Sequence, residues 1–349
     1  MNVKAVALLA LLAPTAHAQG FAGLGTDATG FDIPERGRAL EFPADHGPHP
    51  EYRIEWWYLT ATLTGADGQD FGAQWTLFRS ALEPFDAEGW DSPQIWMGHA
   101  GLTSATQHFS AERFGRGGVG QAGVTADPFV AWIDDWHMTS TATDDQDALD
   151  RLAVHARGSD FSVTLDFTAE GPLVLQGDQG YSVKSPAGQA SYYYSQPFYT
   201  VAGTLDLPSG PVSVTGQGWL DREWSSQPLS DDQSGWDWVS LQFDDGHRMM
   251  GFQLRGRQTF TAGTWITPEG HATPLPDGAV QFTPLRQTRI NGRDVPTHWQ
   301  IDWAEGGVSI TTTPLNPQAW MDLSVQYWEG PLRFTGTHSG RGYLEMTGY

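Results

Sequence analysis

The chain has 349 residues with 41 acidic and 19 basic side chains, a formal net charge of −22 that opposes binding to nucleic-acid phosphates. It contains no cysteine, which excludes disulfides, thiolate metal sites and a lipid-attachment cysteine. Its 16 tryptophans, 41 glycines and 22 prolines favour short strands that pack around large apolar side chains and are joined by turns.

The N-terminus predicts export. Lys4 supplies a positive charge, residues 5–13 are almost wholly apolar, and Ala16 and Ala18 are the small residues that precede a cleavage site. We therefore predict a signal peptide over residues 1–18 and a periplasmic or secreted protein. This apolar run is too short to span a bilayer, and charged residues or glycines interrupt every later one, so no transmembrane segment is expected in the mature chain.

Strand-like alternation dominates the chain after a Gly- and Pro-rich arm, residues 19–50. Residues 53–63 predict a strand, Asp67-Gly68 a tight turn, and residues 71–78 the returning strand. Residues 141–150 are acidic and predict a solvated loop. Further strands are expected over 96–103, 108–114, 129–138, 152–155 and 161–167.

The second half repeats this pattern. Residues 236–243 predict a strand, Asp245-Gly246 a turn, and residues 249–255 the return. The return contains Gly251-Phe252-Gln253, which parallels Gly72-Ala73-Gln74 in the first hairpin and is a weak hint of duplication. Short strands at regular spacing are typical of an all-β sandwich or an up-and-down barrel.

Two histidines and a carboxyl group form the first candidate site. His46 and His49 are separated by a Gly-Pro pair that prevents a helix, so they do not share a helical face as paired metal ligands do. We predict no metal site there. Glu55 shares a strand face with Arg53 and Trp57, and its charge state depends on whether burial or the arginine dominates.

The second candidate site lies just before the expected boundary between the two halves. Trp219, Asp221 and Glu223 share one face of a strand, with alternate residues roughly 6–7 Å apart. Two carboxyl groups at that spacing beside an indole suit an acid–base pair in which burial raises one pKa. The alternative is a solvent-facing acidic row with Leu220 and Trp224 in the core, and the sequence leaves both orientations open.

A tyrosine-rich strand is the third candidate. Tyr192, Tyr194 and Gln196 share one face, and Tyr193 and Ser195 share the other. Aromatic walls with phenol hydroxyls suit a hydrophobic ligand, although the same residues could simply fill a barrel. The sequence contains no Gly-x-Ser-x-Gly elbow, phosphate loop or His-Glu-x-x-His zinc motif.

These motifs resemble those of the AttH-type secreted proteins, which group with the carotenoid 1,2-hydratases. The resemblance covers nearly all of the mature chain and rests on residues 42–49, 55–58, 218–224 and 236–238. It implies two lipocalin-like (calycin-type) antiparallel β-barrels in tandem, which we place at residues 51–225 and 226–349. It also implies partnership with an ABC-type permease of a transport system.

A hydratase has a clear chemical requirement. Adding water to an alkene needs an acid that protonates carbon, walls that stabilise a tertiary carbocation, and a positioned water. No metal or organic cofactor is needed. We hypothesise that Asp221 or Glu223 is the acid, His46 positions water, and Glu55 also takes part. The expected ligand-contacting aromatic residues are Trp57, Tyr58, Trp75, Tyr192, Tyr194, Trp219, Trp224, Trp236 and Trp238.

Three functions remain open from the sequence. The first is a binding protein for an apolar, terpenoid or lipid-like molecule, and the second, nearly as well supported, is a hydro-lyase or isomerase acting on a polyene or terpenoid. The third is a secreted ester hydrolase. A buried Asp221–Glu223 pair facing a cavity would favour the hydro-lyase, and an apolar cavity without those carboxyl groups would favour the carrier. A Ser-His-acid arrangement in space would favour the hydrolase.

Overall fold

The protein is described by a computed structural model that covers residues 28–227, 229–230 and 232–349. The predicted signal peptide and residues 19–27 of the predicted arm lie outside the described residues and stay predictions. The described part of the arm, residues 28–50, is an irregular segment. It contains one short 3-10 helix, Ala44–His46. A second 3-10 helix, Gly89–Asp91, lies further along the chain, outside the arm.

The first sheet contains thirteen strands and curls into a nearly closed barrel. Its strands are β1 Ile54–Gly65, β2 Asp70–Ala81, β3 Gln94–Ser104, β4 His108–Arg116, β5 Ala122–Ala126, β6 Phe129–Ile133, β7 Trp136–Ser140, β8 Arg151–Arg157, β9 Ser162–Ala169, β10 Val174–Leu175, β11 Tyr181–Val183, β12 Ala190–Leu207 and β13 Gly210–Ser225. The order is β4-β3-β2-β1-β13-β12-β9-β8-β7-β6-β5, and β10 and β11 pair with β12. The last strand, β13, therefore pairs with the first.

The second sheet contains ten strands and forms a half-barrel. Its strands are β14 Gly235–Phe243, β15 Arg248–Arg255, β16 Phe260–Ile266, β17 Ala272–Leu275, β18 Gln281–Ile290, β19 Arg293–Trp303, β20 Val308–Pro314, β21 Trp320–Met321, β22 Tyr327–Gly336 and β23 Gly340–Thr347. The order is β17-β16-β15-β14-β23-β22-β20-β19-β18, and β21 pairs with β22. Here too the first strand, β14, lies between the second strand and the last.

The predicted all-β fold with tandem lipocalin-like barrels is confirmed. Two local predictions differ from the structure. The single strand expected over residues 129–138 is a hairpin, because Asp134 takes a left-handed backbone with φ 51° and reverses the chain between β6 and β7. The loop over residues 141–150 is only partly solvated, since Leu149 is buried and Asp147 bonds to His46.

Strand alternation divides the side chains between the barrel interiors and the space between the barrels. On β1, Trp57 and Leu59 point into the first barrel, while Tyr58 faces the second barrel. The same division holds on β14, where Val239 packs inside the second barrel and Trp238 faces the first. Each barrel therefore has its own apolar core, and a third apolar cluster joins the two barrels.

Among the described residues, no helix is both long enough and apolar enough to cross a membrane.

Candidate functional site

A pocket of about 260 Å³ lies between the outer faces of the two barrels. The first barrel supplies residues of β1, β2, β3, β4, β12 and β13, and the second supplies residues of β14, β15, β22 and β23. Most of its wall is apolar or aromatic. The aromatic side chains that line it are Trp56, Tyr58, Phe78, Trp96, Phe114, Tyr193, Trp236, Trp238, Phe252 and Tyr327.

Asp221 presents a buried carboxyl group to this pocket. Its Oδ1 atom accepts hydrogen bonds from the Ser195 hydroxyl and from the Trp219 indole N–H, at 2.8 Å from Nε1. The Tyr193 hydroxyl lies near enough to influence the carboxyl group, but no hydrogen bond of regular geometry reaches Oδ2. Burial, reinforced by the charge of Glu223, raises the pKa of Asp221 to about 7 despite these donors.

Glu223 lies two residues along the same face and has a different environment. Its Oε1 atom is 2.7 Å from Nζ of Lys184 and also accepts a hydrogen bond from Ser191. The Lys184 ammonium group lies over the ring of Phe252, at 4.4 Å from its centroid. The pocket thus contains one carboxyl group with a cationic partner, beside another that has hydrogen-bond donors only.

The second barrel adds two carboxyl groups that the sequence analysis missed. Glu345 lines the pocket and accepts a hydrogen bond of 2.6 Å from the Trp236 indole N–H, and burial raises its pKa to about 7. Behind it, Glu329 accepts a hydrogen bond of 2.5 Å from the Tyr58 hydroxyl. Burial raises the pKa of Glu329 well above its usual value, and the charge of Glu345 adds to this. Alternation in β23 could have indicated Glu345, because its neighbours Leu344 and Met346 are apolar.

A chain of polar groups leads from this region toward the surface. The Tyr327 hydroxyl hydrogen-bonds to Glu329 and lies 3.0 Å from Nδ1 of His99. The Nε2 atom of His99 is 3.1 Å from a carboxylate oxygen of Glu112, which also accepts a hydrogen bond from Ser324 near the surface. Burial lowers the pKa of His99, so this imidazole is neutral near pH 7.

A second charged cluster lies inside the first barrel. The Glu55 carboxylate is fully buried and forms ion pairs with Arg79 and Arg222. It also accepts a hydrogen bond of 2.9 Å from the backbone N–H of His49, whose ring contacts Asp45 at 3.0 Å. Burial opposes ionisation of Glu55, but the two guanidinium groups outweigh it and hold its pKa well below the usual range.

This cluster fixes the described arm to the barrel. Arg79 donates hydrogen bonds to the backbone carbonyls of His49 and Tyr52, and Arg222 donates one to the carbonyl of Gly47. The Arg222 guanidinium also lies over the Trp57 ring, 3.9 Å from its centroid. The motif around residues 45–49 is therefore held in place by buried charges of the barrel interior.

The predicted site residues fall into these two groups. Asp221, Glu223, Tyr58, Trp236 and Trp238 line the pocket between the barrels, and Trp219 packs in the apolar cluster beside it. Glu55 borders the pocket, but its carboxylate is held by the arginines of the interior cluster. The remaining ones lie in the first barrel, where their ligand or catalytic roles stay predictions: His46, Trp57, Trp75, Tyr192, Tyr194 and Trp224.

His46 has partners within the barrel. Its Nδ1 atom is 2.7 Å from the Tyr194 hydroxyl, and its Nε2 atom is 3.2 Å from a carboxylate oxygen of Asp147. The proposal that it positions water beside Asp221 has no contact in its favour. In the part of the chain that the structure describes, no group of three or more histidine and acidic side chains is arranged to hold a metal ion.

Comparison with known proteins gives a consistent result. The profile of the AttH-like family matches residues 33–349. The crystal structure of an AttH-type protein from Nitrosomonas europaea is 34% identical, covers 91% of this chain and 99% of its own, and superposes with a TM-score of 0.80. A search among curated proteins found no match.

Two more distant structures share the fold. Kievitone hydratase from Nectria haematococca is 14% identical, with a TM-score of 0.69 and coverage of 91% of this chain and 98% of its own. CghA in complex with Sch210972 is 13% identical, with a TM-score of 0.55 and coverage of 93% and 97%. The family profile, which spans both barrels, and the 34% identity to the Nitrosomonas europaea protein show that the chain belongs to the AttH-like family.

Proposed function

We propose that this protein catalyses the acid-promoted addition of water to a carbon–carbon double bond, or the reverse elimination, in the pocket between its barrels. The observation that carries this proposal is the Asp221 carboxyl group. Two donors hold Oδ1, so the proton resides on Oδ2, the oxygen without a regular hydrogen bond. A carboxyl group with a pKa of about 7 is still protonated in a large fraction of molecules at neutral pH and can act as a general acid.

The walls of the pocket suit the intermediate of such a reaction. Protonating a branched alkene forms a carbocation, which aromatic faces stabilise through their π electrons. Trp56, Trp236, Trp238 and Tyr193 line the pocket together with Asp221. The Glu223–Lys184 pair adds a polar anchor, because it offers both an acceptor and a donor to a hydroxyl group of the substrate.

The walls of the pocket also restrict the substrate. They are mostly apolar with a few polar groups, which suits a hydrophobic molecule that carries few polar substituents. We therefore propose a terpenoid or a prenylated aromatic compound. The shared fold with kievitone hydratase supports a hydratase, although the reaction of that protein does not transfer by fold alone.

The experiment is a turnover assay on the full chain with citronellol and a prenylated phenol in H₂¹⁸O, with products identified by mass spectrometry. We expect ¹⁸O in a tertiary alcohol product and a loss of about 100-fold or more in kcat for Asp221→Asn. Asp237→Asn is the matched control, because Asp237 is buried on the opposite face of β14 and bonds to Gln253 and Arg255. Equal activity of Asp221→Asn and the wild type would refute the assignment.

A carrier of an apolar molecule is the second candidate, because the same pocket has mostly aromatic and aliphatic walls. In that case Asp221→Asn would retain ligand binding, and no chemical change would occur in the bound molecule. Export through the predicted signal peptide and service to an ABC-type permease are further parts of this proposal. Periplasmic fractionation and cross-linking in cells would test them.

The hydrolase alternative has no observation in its favour. Within residues 28–227, 229–230 and 232–349, no serine hydroxyl forms a hydrogen bond with a histidine ring. Ser195, the serine beside Asp221, donates directly to that carboxyl group.

A further inference from the structure

The two barrels place a carboxyl group at equivalent positions. In the first sheet, Tyr58 of β1 lies opposite Asp221 of β13. In the second sheet, Trp238 of β14 lies opposite Glu345 of β23. In both cases the carboxyl group is on the last strand of its sheet, where that strand pairs with the first, and in both cases it points out of its own barrel.

The local supports of the two groups are also alike. The indole N–H of Trp219 holds Asp221 at 2.8 Å, and the indole N–H of Trp236 holds Glu345 at 2.6 Å. Both carboxyl groups line the same pocket, one from each barrel, and the negative charge of Asp221 contributes to the raised pKa of Glu345. The two sheets therefore place two anchored carboxyl groups in one pocket.

We propose that Glu345 is the second acid–base group of this pocket and is electrostatically coupled to Asp221. The role of the pair in turnover rests on the hydration proposed above. Hydration needs a base as well as an acid, because the attacking water must lose a proton. Glu345 has no ion-pair partner among the described residues, whereas Glu223 is occupied by Lys184. Glu345 is therefore the carboxylate best placed to accept that proton.

The step balances as follows. Asp221 transfers its carboxyl proton to one alkene carbon, and the π electron pair forms the new C–H bond. A lone pair of the water oxygen then forms the C–O bond to the cationic carbon, and the released water proton passes to the Glu345 carboxylate. The alcohol leaves with Asp221 ionised and Glu345 protonated. Transfer of one proton through water in the pocket restores the starting state.

The charge of Glu345 depends on the groups around it. Asp221 and Glu223 act on it from β13, and its own charge raises the pKa of Glu329 and Tyr327 on β22. Tyr58 contributes a hydrogen bond from β1. Lys184 is the cation nearest to Glu223 in this pocket. Burial and the negative neighbours together raise the pKa of Glu345 to about 7, the range in which an acid–base group is most useful.

The test does not need a substrate. Infrared difference spectra of the full chain over pH 5–9 report the protonated carboxyl groups of the wild type, Asp221→Asn and Glu345→Gln. A coupled pair loses its two protons in separate steps, on the order of one pH unit apart. Each single variant should instead show one step at a lower pH than the upper step of the wild type. If the single step of Asp221→Asn and the single step of Glu345→Gln occur at the same pH values as the two steps of the wild type, the two groups titrate independently. The proposal would then be wrong.

Two further variants keep the test informative if Asp221→Asn or Glu345→Gln fails to fold. Trp236→Phe keeps Glu345 but removes its indole donor, so the upper step should move to higher pH, and an unchanged step would contradict the proposal. Asp237→Asn, which alters a buried carboxyl group outside the pocket, should leave both steps in place.

The turnover assay separates this inference from the proposed function. With citronellol, Glu345→Gln should lower kcat by about 100-fold while KM changes by less than about threefold. If Glu345→Gln turns over citronellol at the wild-type rate, Glu345 is not a catalytic group. If the wild type hydrates neither alkene, the proposed function fails, and the infrared titration still decides whether the two carboxyl groups titrate as a coupled pair.

Discussion

The two buried carboxylate clusters of this protein have opposite electrostatics. Inside the first barrel, Glu55 has two arginine partners and its pKa is held well below the usual range. Between the barrels, Asp221 and Glu345 have no ion-pair partner among the described residues, and their pKa values rise to about 7. Both clusters lie beside tryptophans, so the aromatic surroundings do not explain the difference. The presence or absence of a guanidinium group does.

This difference separates a structural site from a reactive one. A permanently ionised carboxylate between two arginines is well suited to fix the arm, but it has no proton to give. Ionising a carboxyl group in an apolar pocket costs free energy, so the group keeps its proton at a pH at which an exposed carboxyl group has lost it. It can therefore donate that proton to a bound substrate.

The largest effect is expected from breaking the interior cluster. Glu55→Gln keeps the shape of the side chain but leaves Arg79 and Arg222 buried without a counter-charge. We expect a loss of about 3–5 kcal/mol in the free energy of unfolding, measured by urea denaturation at pH 7. Arg157→Ala is the control, because Arg157 and Asp135 form an ion pair in which both side chains are exposed. It should cost about 1 kcal/mol or less, and an equal loss in both variants would contradict this account.

The pH dependence of the free energy of unfolding should distinguish Asp221, in the pocket between the barrels, from Glu55, inside the first barrel. Folded Asp221 holds its proton up to a pH of about 7, whereas the unfolded chain releases it near pH 4. The free energy of unfolding therefore falls as the pH rises through this window and is constant above it. Asp221→Asn removes this contribution, which is on the order of 2–4 kcal/mol.

The measurement is urea denaturation of the wild type and Asp221→Asn at pH 5 and pH 8. The variant should gain stability relative to the wild type between these two values. Glu55 has the opposite sign, since its lowered pKa gives stability that is present above pH 4 and is lost only in acid. A constant difference between wild type and Asp221→Asn at the two pH values would show that Asp221 is not protonated in the folded state.

A smaller effect is expected at Lys184, the cation on the margin of the pocket. Lys184→Met leaves the Glu223 carboxylate without its partner and makes its environment resemble that of Asp221. We expect a loss of about 1–2 kcal/mol in the free energy of unfolding at pH 8, because a buried carboxylate is left without its cationic partner. Lys184→Arg retains the charge and should remain close to the wild type. Equal losses for both variants at pH 8 would indicate a packing effect instead.

The sequence by itself determined the strand pattern and the residue types of the reactive strand. Alternation around residues 53–63 and 236–243 predicted β1 and β14, because strand side chains have a period of two. The same period placed Trp219, Asp221 and Glu223 on one face. It could not say which face, because Leu220, Arg222 and Trp224 on the other side are equally buried and include a charge.

Only the tertiary structure decided in which direction the face of Trp219, Asp221 and Glu223 points and which residues surround it. Glu55 was expected to be influenced by Arg53, its neighbour on the same strand, but its ion pairs come from Arg79 and Arg222 on β2 and β13. Asp221 lines the same pocket as Glu345, which lies 124 positions further along the chain. The pKa of a buried carboxyl group depends on neighbours in space, and strand pairing across two barrels sets those neighbours, which sequence spacing does not reveal.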